Sequence, residues 1–72
     1  MTPRVLRARE RLSLDAMALR LGIAVGDLRT LEGAETGLWE VRTLAQYVRT
    51  LGYSLRLTLT REGDGRRLEL DQ

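Results

Sequence analysis

At Gly52 the spacing of apolar residues changes from helical to alternating, and this change divides the chain into a helical part and a hairpin. Ahead of it, Val41, Leu44, Val48 and Leu51 recur at i, i+3, i+7 and i+10, the stripe of an amphipathic helix. Beyond it, Leu55, Leu57 and Leu59 alternate with Arg56, Thr58 and Thr60, and Leu68 and Leu70 alternate with Arg67, Glu69 and Asp71. Glu62-Gly63-Asp64-Gly65 between the two runs has turn chemistry. The pattern predicts a β-hairpin over about 54–60 and 66–71. A lone hairpin is marginal in water, so one leucine face must rest on the helices or on another chain. Its outer edge offers unpaired backbone groups to a second copy, so a homodimer is expected.

The helical part reads from its caps. Thr2 can cap a first helix with Pro3 at its first position, where no N–H is needed. That helix is expected to run to about Arg11, with Val5, Leu6 and Ala8 as inward candidates. Ser13 caps a second helix over 14–21, with Leu14, Met17, Ala18 and Leu21 at helical spacing and Gly22 as its left-handed end. A third helix is expected over about 25–32, with Leu28 and Leu31 inward, and a fourth over about 38–51. Two short helices joined by a brief glycine-containing turn match a helix-turn-helix.

With 72 residues, a single domain spanning 1–72 is expected. So small a core is marginal, and the chain has no cysteine for a disulfide or a thiolate metal site. Histidine is absent as well, which removes the commonest general base and metal ligand. No catalytic residue, metal or cofactor is therefore expected, and the glycines at 63–65 fit a turn rather than a phosphate loop. No apolar run approaches the length of a membrane span. Met1-Thr2-Pro3-Arg4 leads into charged residues, so no signal peptide is expected and the cytoplasm is the expected location.

All 12 basic residues are arginine. GC-rich codon usage accounts for this, and arginine's forked geometry also suits phosphate; composition does not separate the two. The charge is unevenly spread. Residues 2–11 carry four arginines against one glutamate, whereas 12–40 carry two arginines against five acids. The middle of the chain is acidic.

Arg7 through Ser13, then Ala18, Leu21, Gly22, Ile23, Leu28, Leu31, Glu32 and Gly33, resemble the Xre, or Cro/repressor-like, helix-turn-helix family. Thr43 through Gly52, followed by Leu55, Leu57 and Leu59, resembles the antitoxin-type members, whose last helix ends in Leu-Gly and runs into a strand. The resemblance covers about residues 4–60. It implies a mainly α fold, a four-helix repressor-like helix-turn-helix domain with a C-terminal β-hairpin. It implies a transcriptional repressor that binds a palindromic double-stranded DNA operator as a dimer, with half-site centres about 10 base pairs apart. The antitoxin subgroup implies a toxin partner. Arg4, Arg9, Arg11 and Ser13 would meet phosphate, and Val25, Gly26, Asp27, Arg29 and Thr30 would lie at the groove. Arg7 and Glu32 look like the family's buried pair tying the first helix to the end of the third.

Several positions depart from the family. Leu14 stands where a polar residue usually meets phosphate, and Ala24-Val25-Gly26-Asp27 replaces a polar opening of the third helix. Only Arg29 and Thr30 keep ordinary hydrogen-bonding reach to base edges. These departures carry an alternative, a dimeric protein-binding module on the same scaffold with weak or lost DNA binding. It would use Val25 and Gly26 or the hairpin edge with Leu55, Leu57 and Leu59. Trp39 and Tyr47, eight residues apart, read either as core edge or as a dimer or partner interface.

Overall fold

A computed structural model describes residues 1–70. It contains α1 (Pro3–Arg9), α2 (Leu14–Leu21), α3 (Val25–Gly33), a 3₁₀ turn (Thr36–Leu38), α4 (Val41–Thr50), β1 (Leu57–Thr60) and β2 (Arg67–Leu70). The mainly helical fold with a C-terminal antiparallel hairpin is the one expected. Asp71, placed at the end of the hairpin by the alternation, lies outside the described residues.

Local chemistry sets most of the boundaries. Thr2 Oγ1 accepts from Val5 N–H at 3.2 Å, and Ser13 Oγ accepts from Ala16 N–H at 3.1 Å, so α1 and α2 each satisfy an orphan donor. Gly22 adopts φ 72° and ends α2, with the Ile23 N–H reaching back to the Ala18 carbonyl at 3.1 Å. α1 stops at Arg9, short of Arg11. Arg11 itself takes φ 58°, and the Leu12 N–H returns to the Arg7 carbonyl, so an arginine does here what glycine does at Gly22.

α4 starts at Val41 rather than at residue 38. Trp39 and Glu40 are extended, and this break turns the indole onto Tyr47, ring centroids 5.2 Å apart and nearly perpendicular. In an unbroken helix, eight residues would separate the two by about 12 Å along the axis.

The core comprises Met17 and Ala18 of α2, Leu28 of α3, Trp39, and Tyr47, Val48 and Leu51 at α4, with Leu6, Leu12, Leu14, Leu21, Val25, Leu31, Leu44 and Leu55 packed around it. Four apolar expectations are corrected: Val5, Ala8 and Val41 as inward residues, and Ile23, which the helix-turn-helix pattern places in the core. Val5 and Val41 are each 46% exposed, and Ile23 is 38% exposed. Ala8 is exposed as well. On α1 the inward face belongs to Pro3, Leu6 and the half-buried Arg7. At α4 the first-turn position of Val41 lies outside the packed stripe, whose centre is Tyr47 at 0% exposure.

The hairpin pairs within the chain. Leu57 faces Leu70 and Leu59 faces Leu68, which puts four leucines on one face. Asp64 Oδ1 accepts from the Arg66 N–H at 3.0 Å, and Gly63 and Gly65 take positive φ, which closes the turn. Leu55 and Leu57 are half-buried, but Leu59, Leu68 and Leu70 are 49%, 52% and 48% exposed. The hairpin therefore projects from the helical body, and the molecule measures 44 × 22 × 20 Å. No helix among the described residues is long and apolar enough to cross a membrane.

Candidate nucleic-acid interface

α2 and α3 form the helix-turn-helix, and α1 is tied to α3 by a polar cluster. Arg7 grips Glu32 in a forked pair, Nε to Oε2 at 2.7 Å and a terminal nitrogen to Oε1 at 2.9 Å. The other Arg7 terminal nitrogen donates to the Leu12 carbonyl at 2.8 Å. The side chains are 12% and 4% exposed. The expected pair is thus present, but it is a triad. The Tyr47 hydroxyl lies 2.7 Å from Glu32 Oε2 and 3.0 Å from the Pro3 carbonyl, and its one proton serves both acceptors. Burial pushes the Glu32 carboxyl up, but the bonds from Arg7 and Tyr47 outweigh it and hold the group below its usual range. The Arg7 guanidinium is raised by its bond to Glu32, and burial followed by the Glu32 contact pushes the Tyr47 phenol up.

Arg7 and Glu32 of this cluster also line a cleft of about 390 Å³, together with Arg4, Leu14, Arg29 and Gly33. Arg7 neutralises Glu32. Arg4 and Arg29 make no ion pair among the described residues, so the cleft keeps two unpaired cations. Leu14 sits in its wall beside the capped start of α2 and contributes contact rather than a hydrogen bond.

The outer face of α3 is formed by Gly26, Asp27, Arg29, Thr30 and Gly33, all exposed, with Val25 half-buried. Gly26, Arg29 and Gly33 recur at i, i+3 and i+7, so they share one side of the helix. A Cβ at Gly26 or Gly33 would meet nothing within 4 Å among the described residues. Arg29 therefore projects from a stretch of nearly bare backbone that another molecule can approach closely. Thr30 Oγ1 donates to the Gly26 carbonyl at 3.1 Å, which leaves its lone pairs, not its proton, for an outside partner. Ser13 Oγ is an acceptor in its cap and retains its own proton for donation.

The remaining residues lie elsewhere. Arg9 is not a wall of the cleft. It is close enough to Tyr53 to ease the ionisation of that phenol, whose hydroxyl donates to Glu10. The bond to Glu10 pushes the Tyr53 phenol up. Arg11 is exposed in the turn between α1 and α2. Trp39 and Tyr47 are 8% and 0% exposed in the single chain and pack edge to face on one another, as the core-edge reading expects. Two features escape a reading by spacing: the pairing of Arg4 with Arg29, and the Tyr47 hydroxyl beneath Glu32. Neither has a local signal, because the first needs α1 docked on α3 and the second joins residues 15 apart.

No protein-family model matches the chain, and no curated protein matches it.

Proposed function

We propose that this chain is a sequence-specific DNA-binding repressor of the antitoxin type, which binds a palindromic operator as a homodimer in the cytoplasm. One observation carries the reading. Arg4 from α1 and Arg29 from α3 converge on a single cleft beside an exposed helix face, and the one acid there is already neutralised by Arg7. In this reading α3 enters the major groove and Arg29 addresses a base edge, with its fork suited to the N7 and O6 acceptors of guanine. Gly26 and Gly33 let the helix backbone come close to the groove. Arg4, the Ser13 hydroxyl and Arg11 hold phosphates and set the register. Asp27 can accept from a cytosine amine. Arg9, beside Tyr53 and Glu10, has a smaller part than its sequence position implies. A toxin encoded alongside is the expected protein partner, and no catalytic residue is assigned.

Gel-shift titrations with a duplex from upstream of the coding sequence test the roles. Arg29→Ala is expected to cost about tenfold or more on that duplex, as one bidentate base contact is worth about 1–3 kcal/mol, and to leave scrambled DNA unaffected. Arg4→Ala is expected to weaken both duplexes alike. Identical losses for the two variants on both duplexes would overturn the assignment.

The alternative of a protein-binding module on the same scaffold is favoured by one feature, the half-exposed leucines of the hairpin. It predicts no operator preference and a tight complex with a neighbouring gene product.

A further inference from the structure

We infer that two copies of this chain join through the free edges of β2, in an antiparallel pairing whose two-fold axis passes beside Leu68. The inference rests on the homodimeric part of the proposed reading and specifies its interface.

The backbone fixes which groups are available. The Arg61 N–H donates to the Arg66 carbonyl at 2.7 Å, so this opposed pair is a hydrogen-bonded one. Hydrogen-bonded pairs recur at every second position of an antiparallel ladder. In this register Leu59–Leu68 and Leu57–Leu70 are therefore bonded pairs, and the N–H and C=O groups of Arg67 and Glu69 point away from β1 to the open edge. A second β2 can bond only by setting outward-pointing residues opposite one another. A centre at Arg67 would oppose two arginines, and a centre at Glu69 two glutamates. A centre at Leu68 sets Arg67 against Glu69 of the second copy, twice, through four backbone hydrogen bonds. Charge thus selects one register.

The pairing also extends what a two-stranded hairpin lacks. The result is a four-stranded sheet, β1-β2-β2-β1, with Leu57, Leu59, Leu68 and Leu70 of both copies on the same face. Leu55, two residues ahead of β1 in the same alternation, packs against the helical core of its own copy, so this face is continuous with both cores. The β1 edge offers no such match, since its outward residues Thr58 and Thr60 are uncharged.

The test is sedimentation velocity of the full chain with Arg67→Glu, Glu69→Arg and the double reversal. Within the hairpin Arg67 faces Thr60 and Glu69 faces Thr58, so the reversals leave the intrachain neighbours neutral, and far-UV circular dichroism checks the fold. The wild type is expected to be a dimer. Each single reversal is expected to weaken it at least tenfold by opposing like charges at two places, and the double reversal is expected to restore it. Glu69→Pro, which removes an outward N–H and leaves the β1 ladder intact, is expected to give a monomer. A monomeric wild type, a foreign chain required for assembly, or single and double reversals with equal effect would each overturn the pairing. DNA is absent from this experiment. A dimer that ignores its operator overturns the repressor reading alone, and a monomer that binds it overturns the pairing alone.

Discussion

Replacing Glu32 with alanine removes the centre of the polar cluster that ties α1 to α3. The Arg7 guanidinium, 12% exposed, loses both of its bonds to the carboxylate and keeps only the Leu12 carbonyl. Tyr47 keeps only the Pro3 carbonyl. Breaking a buried pair from one side costs about 3–5 kcal/mol, and the residual exposure of Arg7 puts this case near the lower value. A chain of 72 residues has a total stability of about 4–11 kcal/mol, so the loss is a large share of it. At about 4–8 °C per kcal/mol for a domain of this size, Tm should fall by about 12–24 °C. Thermal melts followed by circular dichroism and by the emission of Trp39, the single tryptophan, measure this directly. The double variant Arg7→Met, Glu32→Leu should recover most of the loss, because two apolar side chains leave no charge unpaired. A fall of less than about 4 °C for Glu32→Ala, or a double variant no better than the single one, would show that the pair behaves like an exposed salt bridge and refute the argument.

The same cluster makes stability depend on pH. The Glu32 carboxyl is held below its usual value in the folded chain, so its contribution is fully present above the unfolded value of about 4.3 and is lost as pH falls through the folded one. Urea melts at pH 7 and pH 3 should show a larger loss for the wild type than for Glu32→Gln. Arg11→Gly should raise stability by about 1 kcal/mol, since φ 58° strains a residue with a Cβ, and should lower DNA affinity by removing the proposed phosphate contact; a binding isotherm and a melt on the same sample separate the two. Ser13→Ala should cost about 1 kcal/mol in denaturant melts, because the Ala16 N–H loses its acceptor.

Legibility in the sequence followed the range of the interaction. α2 could be bounded from Ser13 and Gly22 because both ends are decided within three or four residues. The hairpin itself followed from the alternation of leucines about the Gly63–Gly65 turn, although β1 starts at Leu57 rather than at residue 54. The end of α1 was misplaced because an arginine, not a glycine, takes the left-handed position. The start of α4 was misplaced because the break at Trp39 serves a contact with Tyr47 that helical spacing alone does not announce. The Arg7–Glu32 pair came from family resemblance, and its third member, Tyr47, has partners 15 and 44 residues away. The cleft between Arg4 and Arg29 exists only once α1 is docked on α3. Whether the leucine face would rest on the helices depended on the path from Gly52 to Leu57, and that path carries the hairpin outward instead.

We propose that the cleft and the face of α3 bind DNA by sequence. Fluorescence anisotropy with the upstream duplex and a scrambled duplex, each at two salt concentrations, tests it most directly. On the proposed reading Arg4 and Arg11 of two subunits would make four phosphate contacts, so affinity for either duplex should fall with a log–log salt slope of about −4. The preference for the upstream duplex should survive the higher salt. Binding that is absent, or equal for both duplexes at both salt concentrations, would contradict it.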